Sequence, residues 1–84
     1  MALTFVGIDP ETKSGGSPTV WVDEEAQEFV FQGWKASSGL REQITATPAP
    51  DHDPGIPEGE DAIRMPFRMK DALRKACDAA DRLG

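Results

Sequence analysis

Thr19-Val20-Trp21-Val22-Asp23 and Glu28-Phe29-Val30-Phe31-Gln32-Gly33-Trp34-Lys35, separated by the polar residues Glu24 to Gln27, decide the fold of this chain. The first run is dense in β-branched and aromatic residues, which suit a pleated, half-buried strand. The polar segment can turn, and the second run then returns as the partner strand of a β-hairpin. Pairing Asp23 with Glu28 sets Val22 opposite Phe29 and Val20 opposite Phe31. Those four side chains share one face, and Trp21, Val30 and Trp34 fall on the other. Both faces are therefore apolar, whereas the solvated face of an antiparallel sheet reads as polar. The register carries the weight of this reading. A slip of one residue exchanges the faces of one strand and places Trp21 with Phe29 and Phe31.

Downstream, Ala62-Ile63-Arg64-Met65 reads as a short third strand. Pro66 suits a first helical position and biases Met65 toward extended backbone. From Met69, apolar residues recur at Ala72, Leu73, Ala76, Cys77, Ala80 and Leu83, the stripe of an amphipathic helix. Asp71 with Lys75, and Asp78 with Arg82, are spaced as i,i+4 pairs on its outer face. Upstream, Leu3 to Ile8 reads as an N-terminal strand, followed by turn-rich sequence from Asp9 to Pro18. Between hairpin and third strand, Ser37 to Ile44 suits a helical turn with Leu40 and Ile44 on one side. The stretch from about 45 to 60 holds Pro48, Pro50, Pro54 and Pro57 among Asp, Glu and Gly, which predicts a mobile loop. The expectation is one small α+β domain over residues 1–84. It has a small antiparallel sheet, formed by the hairpin, a third strand and an N-terminal strand, and one C-terminal amphipathic helix.

The chain has 84 residues and a formal net charge of −6. That balance opposes general binding to nucleic acid, where Lys and Arg must neutralise phosphates. Charge is unevenly placed: twelve acidic and three basic residues lie before Arg64, three acidic and six basic from there on. The single cysteine, Cys77, rules out an intramolecular disulfide. The N-terminus lacks a basic region and its apolar run stops at Asp9, so no signal peptide is read there. No apolar stretch is long enough to span a membrane. A cytoplasmic location is expected.

No motif carries a convincing chemistry. Ser14-Gly15-Gly16-Ser17 lacks the lysine of a phosphate loop and precedes a strand, so a flexible turn is expected. Asp51-His52-Asp53 offers three adjacent ligand types that cannot easily converge on one ion, so no metal is assigned. Cys77 lies on the apolar stripe and reads as a buried thiol, not a nucleophile. No acidic pair stands at a useful spacing from a nucleophile. No catalytic residue and no cofactor are assigned. Trp21, Val30 and Trp34 remain. Tryptophan anchors many interfaces, and a single helix covers only one face of a sheet. The uncovered face then needs a partner, and a second copy supplies one. Phe5 and Ile8 of the N-terminal segment are the other candidates for covering it.

The runs Ser17-Pro18-Thr19-Val20-Trp21-Val22-Asp23 and Phe31-Gln32-Gly33-Trp34-Lys35, with Ile56-Pro57 and Ile63-Arg64-Met65-Pro66, resemble the BldB-like family. These are small actinobacterial regulatory proteins found beside WhiJ-type helix-turn-helix regulators. The resemblance spans nearly the whole chain, and the Pro/Asp-rich loop departs from it as an insertion. What it implies is a non-enzymatic, homodimeric, antitoxin- or antirepressor-like partner of a helix-turn-helix DNA-binding protein. Two other readings stay open. One is an acidic nucleic-acid mimic that occupies the DNA-binding surface of its target. The other is a small ligand-binding module.

Overall fold

β-Branched and aromatic runs at the N-terminal end of the chain become the strands of one sheet. In a computed structural model, residues 3–11 and 17–83 are described. β1 (Leu3–Ile8), β2 (Thr19–Asp23) and β3 (Glu28–Gln32) form an antiparallel sheet in the order β1-β2-β3. The hairpin register is the expected one: Asp23 opposes Glu28, Val22 opposes Phe29 and Val20 opposes Phe31. The sheet's third strand is the N-terminal β1. Ile63–Arg64, expected to be the third strand, pairs elsewhere.

The residues divide into two compact units, 1–33 with 65–84, and 34–64. In the first, a turn of 3-10 helix (Phe67–Met69) leads into the C-terminal helix, Lys70–Leu83. Pro66 precedes this turn with extended backbone, as its ring and missing N–H favour at a helix start. The helix packs on β1 and β2. The core beneath it is Val20, Val22, Met69 and Ala76, joined by partly buried Val6, Met65, Ala72 and Ala79. The mixed α+β class is therefore as expected, with the helix over the Val20/Val22 face.

Two local features let the helix approach. β1 carries a bulge: Phe5 opposes Trp21 and Gly7 opposes Val20, leaving Val6 as the extra residue. Gly7 thus lies on the helix face. A Cβ built on it would stand 2.8 Å from the Cβ of Ala72, so only glycine fits at this crossing. An ion pair pins the same end. The fully buried Asp9 carboxylate accepts from Arg68 Nε at 2.6 Å and Nη2 at 2.7 Å, and from the Glu11 amide at 3.0 Å. This bidentate geometry ties the end of β1 to the turn that starts the helix. It also raises the Arg68 pKa above its ordinary value, chiefly through the hydrogen bonds to Asp9.

The second unit is built from local devices. β4 (Trp34–Lys35) pairs with β5 (Ile63–Arg64), Trp34 opposite Arg64. α1 (Ser38–Ala46) is capped by Ser37, whose Oγ accepts the Leu40 amide at 3.1 Å. Leu40 and Ile44 are its half-buried positions, as the spacing predicts. The following proline-rich stretch runs through successive turns, with positive φ at Asp51, Gly55 and Gly59. Asp61 binds Arg41 at 2.6 Å and accepts the Ala62 amide at 2.9 Å. The Ala62 amide, and then Arg41, hold the Asp61 carboxyl below its usual pKa. The C-terminal helix of the first unit is called α2 below.

Candidate functional site

Strand alternation fixes the membership of the sheet face that α2 leaves uncovered. Directly opposed residues of antiparallel strands share a face. Trp21 and its partners Phe5 and Val30 therefore lie together, flanked by Leu3 opposite Asp23 and Ile8 opposite Thr19. Trp21 and Val30, toward the centre, are half-buried. The β1 side chains are open to solvent: Leu3 is 44% exposed, Phe5 58% and Ile8 51%. The N-terminal strand does not hide the tryptophan face. It joins the sheet edge and extends that face by three apolar residues. The β1 bulge places Ile8 here, since uninterrupted alternation from Phe5 would have turned it to the other side.

Of the expected interface residues, Trp21 and Val30 come together as the register requires. Trp34 does not continue β3, the strand of Val30. β3 ends at Gln32, Gly33 interrupts it, and Trp34 begins the separate β4–β5 ladder of the second unit. Glycine inside a strand pattern often marks such a break, because it adds backbone freedom and no packing.

Around α2 the outcome differs from the simple stripe. Met69 and Ala76 are buried and Ala72 and Ala79 partly so, whereas Leu73 and Cys77 are exposed. Cys77 is thus a surface thiol and not the buried one expected. The reason is angular: successive residues turn by about 100°, so Cys77 points well away from Ala76 at the centre of the contact. Asp71 likewise pairs with Arg74 at 3.0 Å, one residue short of the expected Lys75.

A second apolar feature lies on the helix side of the sheet. α2 crosses β1 and β2, so β3 is left at the open edge. Phe29 and Phe31 stack there with ring centroids 6.1 Å apart, and each is nearly half exposed. Beside them is a groove of about 230 Å³ lined by Val22, Gln27, Glu28, Phe29, Ala80 and Leu83. Sequence reasoning placed Phe29 and Phe31 beneath the helix. Sheet order moved them out, because the helix centres on β2 and its β1 neighbour. Phe67, on the turn before α2, is 94% exposed and was not singled out by any sequence pattern.

The polar candidates are dispersed. Ser17 of the Ser14–Ser17 motif is buried, and its carbonyl accepts from Thr19 Oγ1 and Gln32 Nε2, both at 2.8 Å. Ser14, Gly15 and Gly16 lie outside the described residues. His52 contacts the Pro50 carbonyl through Nδ1 at 2.9 Å, and with Asp53 lines a shallow hollow on its own loop. Among the described residues no group of three or more His, Cys, Asp or Glu side chains is placed to hold a metal ion, and no helix is long and apolar enough to cross a membrane. What this surface offers chemically is apolar area on two sides of one small sheet. No family model, curated protein or solved structure matches the chain.

Proposed function

We propose that this chain is a non-enzymatic regulatory module of the cytoplasm that works by binding protein. It dimerises through the face of its sheet that α2 leaves uncovered. One observation carries this reading: Leu3, Phe5, Ile8, Trp21 and Val30 make a continuous apolar face on which the β1 side chains are about half exposed. Contiguous patches of this kind mark interaction sites on small proteins. A two-fold axis uses the patch twice and adds burial to a domain with little core of its own. The BldB-like resemblance adds the partner, a helix-turn-helix DNA-binding protein, with antitoxin- or antirepressor-like action. With a net charge of −6, the chain acts on DNA through that partner and not by direct contact.

Sedimentation equilibrium tests the dimer. The wild type is expected to dimerise at tens of micromolar, and Phe5→Glu and Ile8→Lys to be monomeric with unchanged circular dichroism. A monomeric wild type, or a Phe5→Glu variant that associates as tightly, would overturn the reading. Trp34→Glu, placed in the other unit, reports whether that residue shares the interface. Affinity capture from the native cell, followed by mass spectrometry, tests the partner. Repeated capture without any DNA-binding protein counts against it.

A further inference from the structure

β3 combines an unpaired edge, an exposed aromatic stack and an acidic rim. It pairs only with β2 among the described residues, so its outer edge presents backbone amides and carbonyls. On the helix side that edge is bordered by Phe29 and Phe31, and then by the groove that Ala80 and Leu83 of α2 close from above. An extended segment hydrogen-bonded to β3 would set every second side chain over the sheet, against these apolar groups. Glu24 and Glu25 lie in the hairpin turn that leads to the groove residue Gln27, while Asp23 and Glu28, which oppose each other, fall on the Trp21 face. No Lys or Arg occurs between Ser14 and Trp34. A base, Arg82, stands in the last turn of α2, next in sequence to the groove residue Leu83.

We propose that the β3 edge and its groove are a β-augmentation site for an extended partner segment with alternating apolar side chains and a basic flank. The acidic turn selects the charge, and the Phe29/Phe31 strip selects the alternation. A second copy of this chain is the poorer occupant here. Its own β3 hairpin would bring a second acidic turn and no base to the same place. The inference rests on the protein-binding reading above but uses the opposite side of the sheet, so the two can fail separately.

The test uses the full-length chain. A phage-displayed random dodecapeptide library is panned on the wild type, and the consensus peptide is synthesised and measured by fluorescence anisotropy. The expected consensus alternates apolar residues and carries Lys or Arg at one end. Phe29→Ser and Glu24→Lys are each expected to weaken binding at least about tenfold, while Phe5→Glu on the far face leaves it unchanged. Glu24→Lys changes charge at an exposed turn position, and unchanged circular dichroism separates its effect from misfolding. N-methylation of alternate peptide amides should abolish binding in one of the two registers, as strand pairing requires. Failure to enrich any peptide, a consensus without alternation or basic flank, or binding by both variants equal to that of the wild type would overturn the proposal. So would sedimentation data in which Phe29→Ser, and not Phe5→Glu, breaks self-association, since that assigns the edge to a second copy. If the peptide arm fails while Phe5→Glu disrupts the dimer, only this inference falls. If the wild type is monomeric and the peptide binds, only the dimer reading falls.

Discussion

On one side of β2, Val20 and Val22 are buried beneath α2. On the other, Trp21 lies between Phe5 and Val30, on the face that α2 leaves uncovered. Both sides draw on the same residue types, and both follow from the same alternation. They differ in what their neighbours allow. The covered side has Gly7 in β1 facing Ala72, and a helix whose contact line, Met69, Ala72, Ala76 and Ala79, is mostly small. Small residues let a helix axis approach a sheet closely, and packing at crystal-like density then excludes water. The other side has Leu3, Phe5 and Ile8 along β1 and faces away from α2. Apolar character is therefore a poor guide to burial in a chain this short. The shape of the facing element decides it.

The contrast can be broken most forcefully on the covered side. Met69 is 1% exposed, and Met69→Ala should cost roughly 2–5 kcal/mol in urea unfolding. A near-neutral result would show that the helix does not seal this face. Gly7→Ala comes next. The added Cβ meets the Ala72 Cβ at 2.8 Å, and overpacking of this kind costs about 1–3 kcal/mol. Ala72→Gly in the same background should recover part of the loss by making room, less the intrinsic penalty of glycine in a helix. If it recovers nothing, the close approach is not the cause.

On the open side the expected stability effects are smaller. Phe5→Ala removes one cross-strand aromatic neighbour of Trp21, worth about 0.2–1 kcal/mol at dilutions where the chain is monomeric. At higher concentration the proposed dimer should make the wild-type Tm rise with protein concentration, and Phe5→Ala should flatten that dependence. Equal slopes would mean that the face is not an interface. The smallest effect is expected at Cys77→Ser, within about 0.5 kcal/mol because the side chain is exposed. In the folded wild type the thiol should react with a disulfide reagent at nearly the rate of a free peptide thiol. Strong protection would mean that α2 is rotated from the described orientation.

Much of this was legible in the residues. The hairpin and its register follow from two β-rich runs around a polar turn, and the pairing of Asp23 with Glu28 correctly placed Val20 and Val22 opposite to Trp21. The α2 span follows from its apolar period, and the α1 turn from Leu40 and Ile44. Local periodicity carries such features because side-chain direction repeats with the backbone geometry. Other outcomes were not local. Trp34 leaves the β3 strand of Val30 because a ladder with Ile63–Arg64, distant in sequence, takes it up. Cys77 is exposed because the stripe is wider than the surface it meets.

By itself, then, the sequence determined which residues form strands and helices, and which side chains of the hairpin share a face. These depend on interactions a few residues apart. Tertiary structure alone decided that β1 joins β2 with a bulge at Val6, which turns Ile8 to the open face and Gly7 to the helix. It alone joined Asp9 to Arg68, 59 residues away, and left Phe29 and Phe31 stacked at a free edge. Each of these outcomes is a pairing between distant segments. Such pairings are chosen by shape and charge complementarity between finished elements, which no local period encodes.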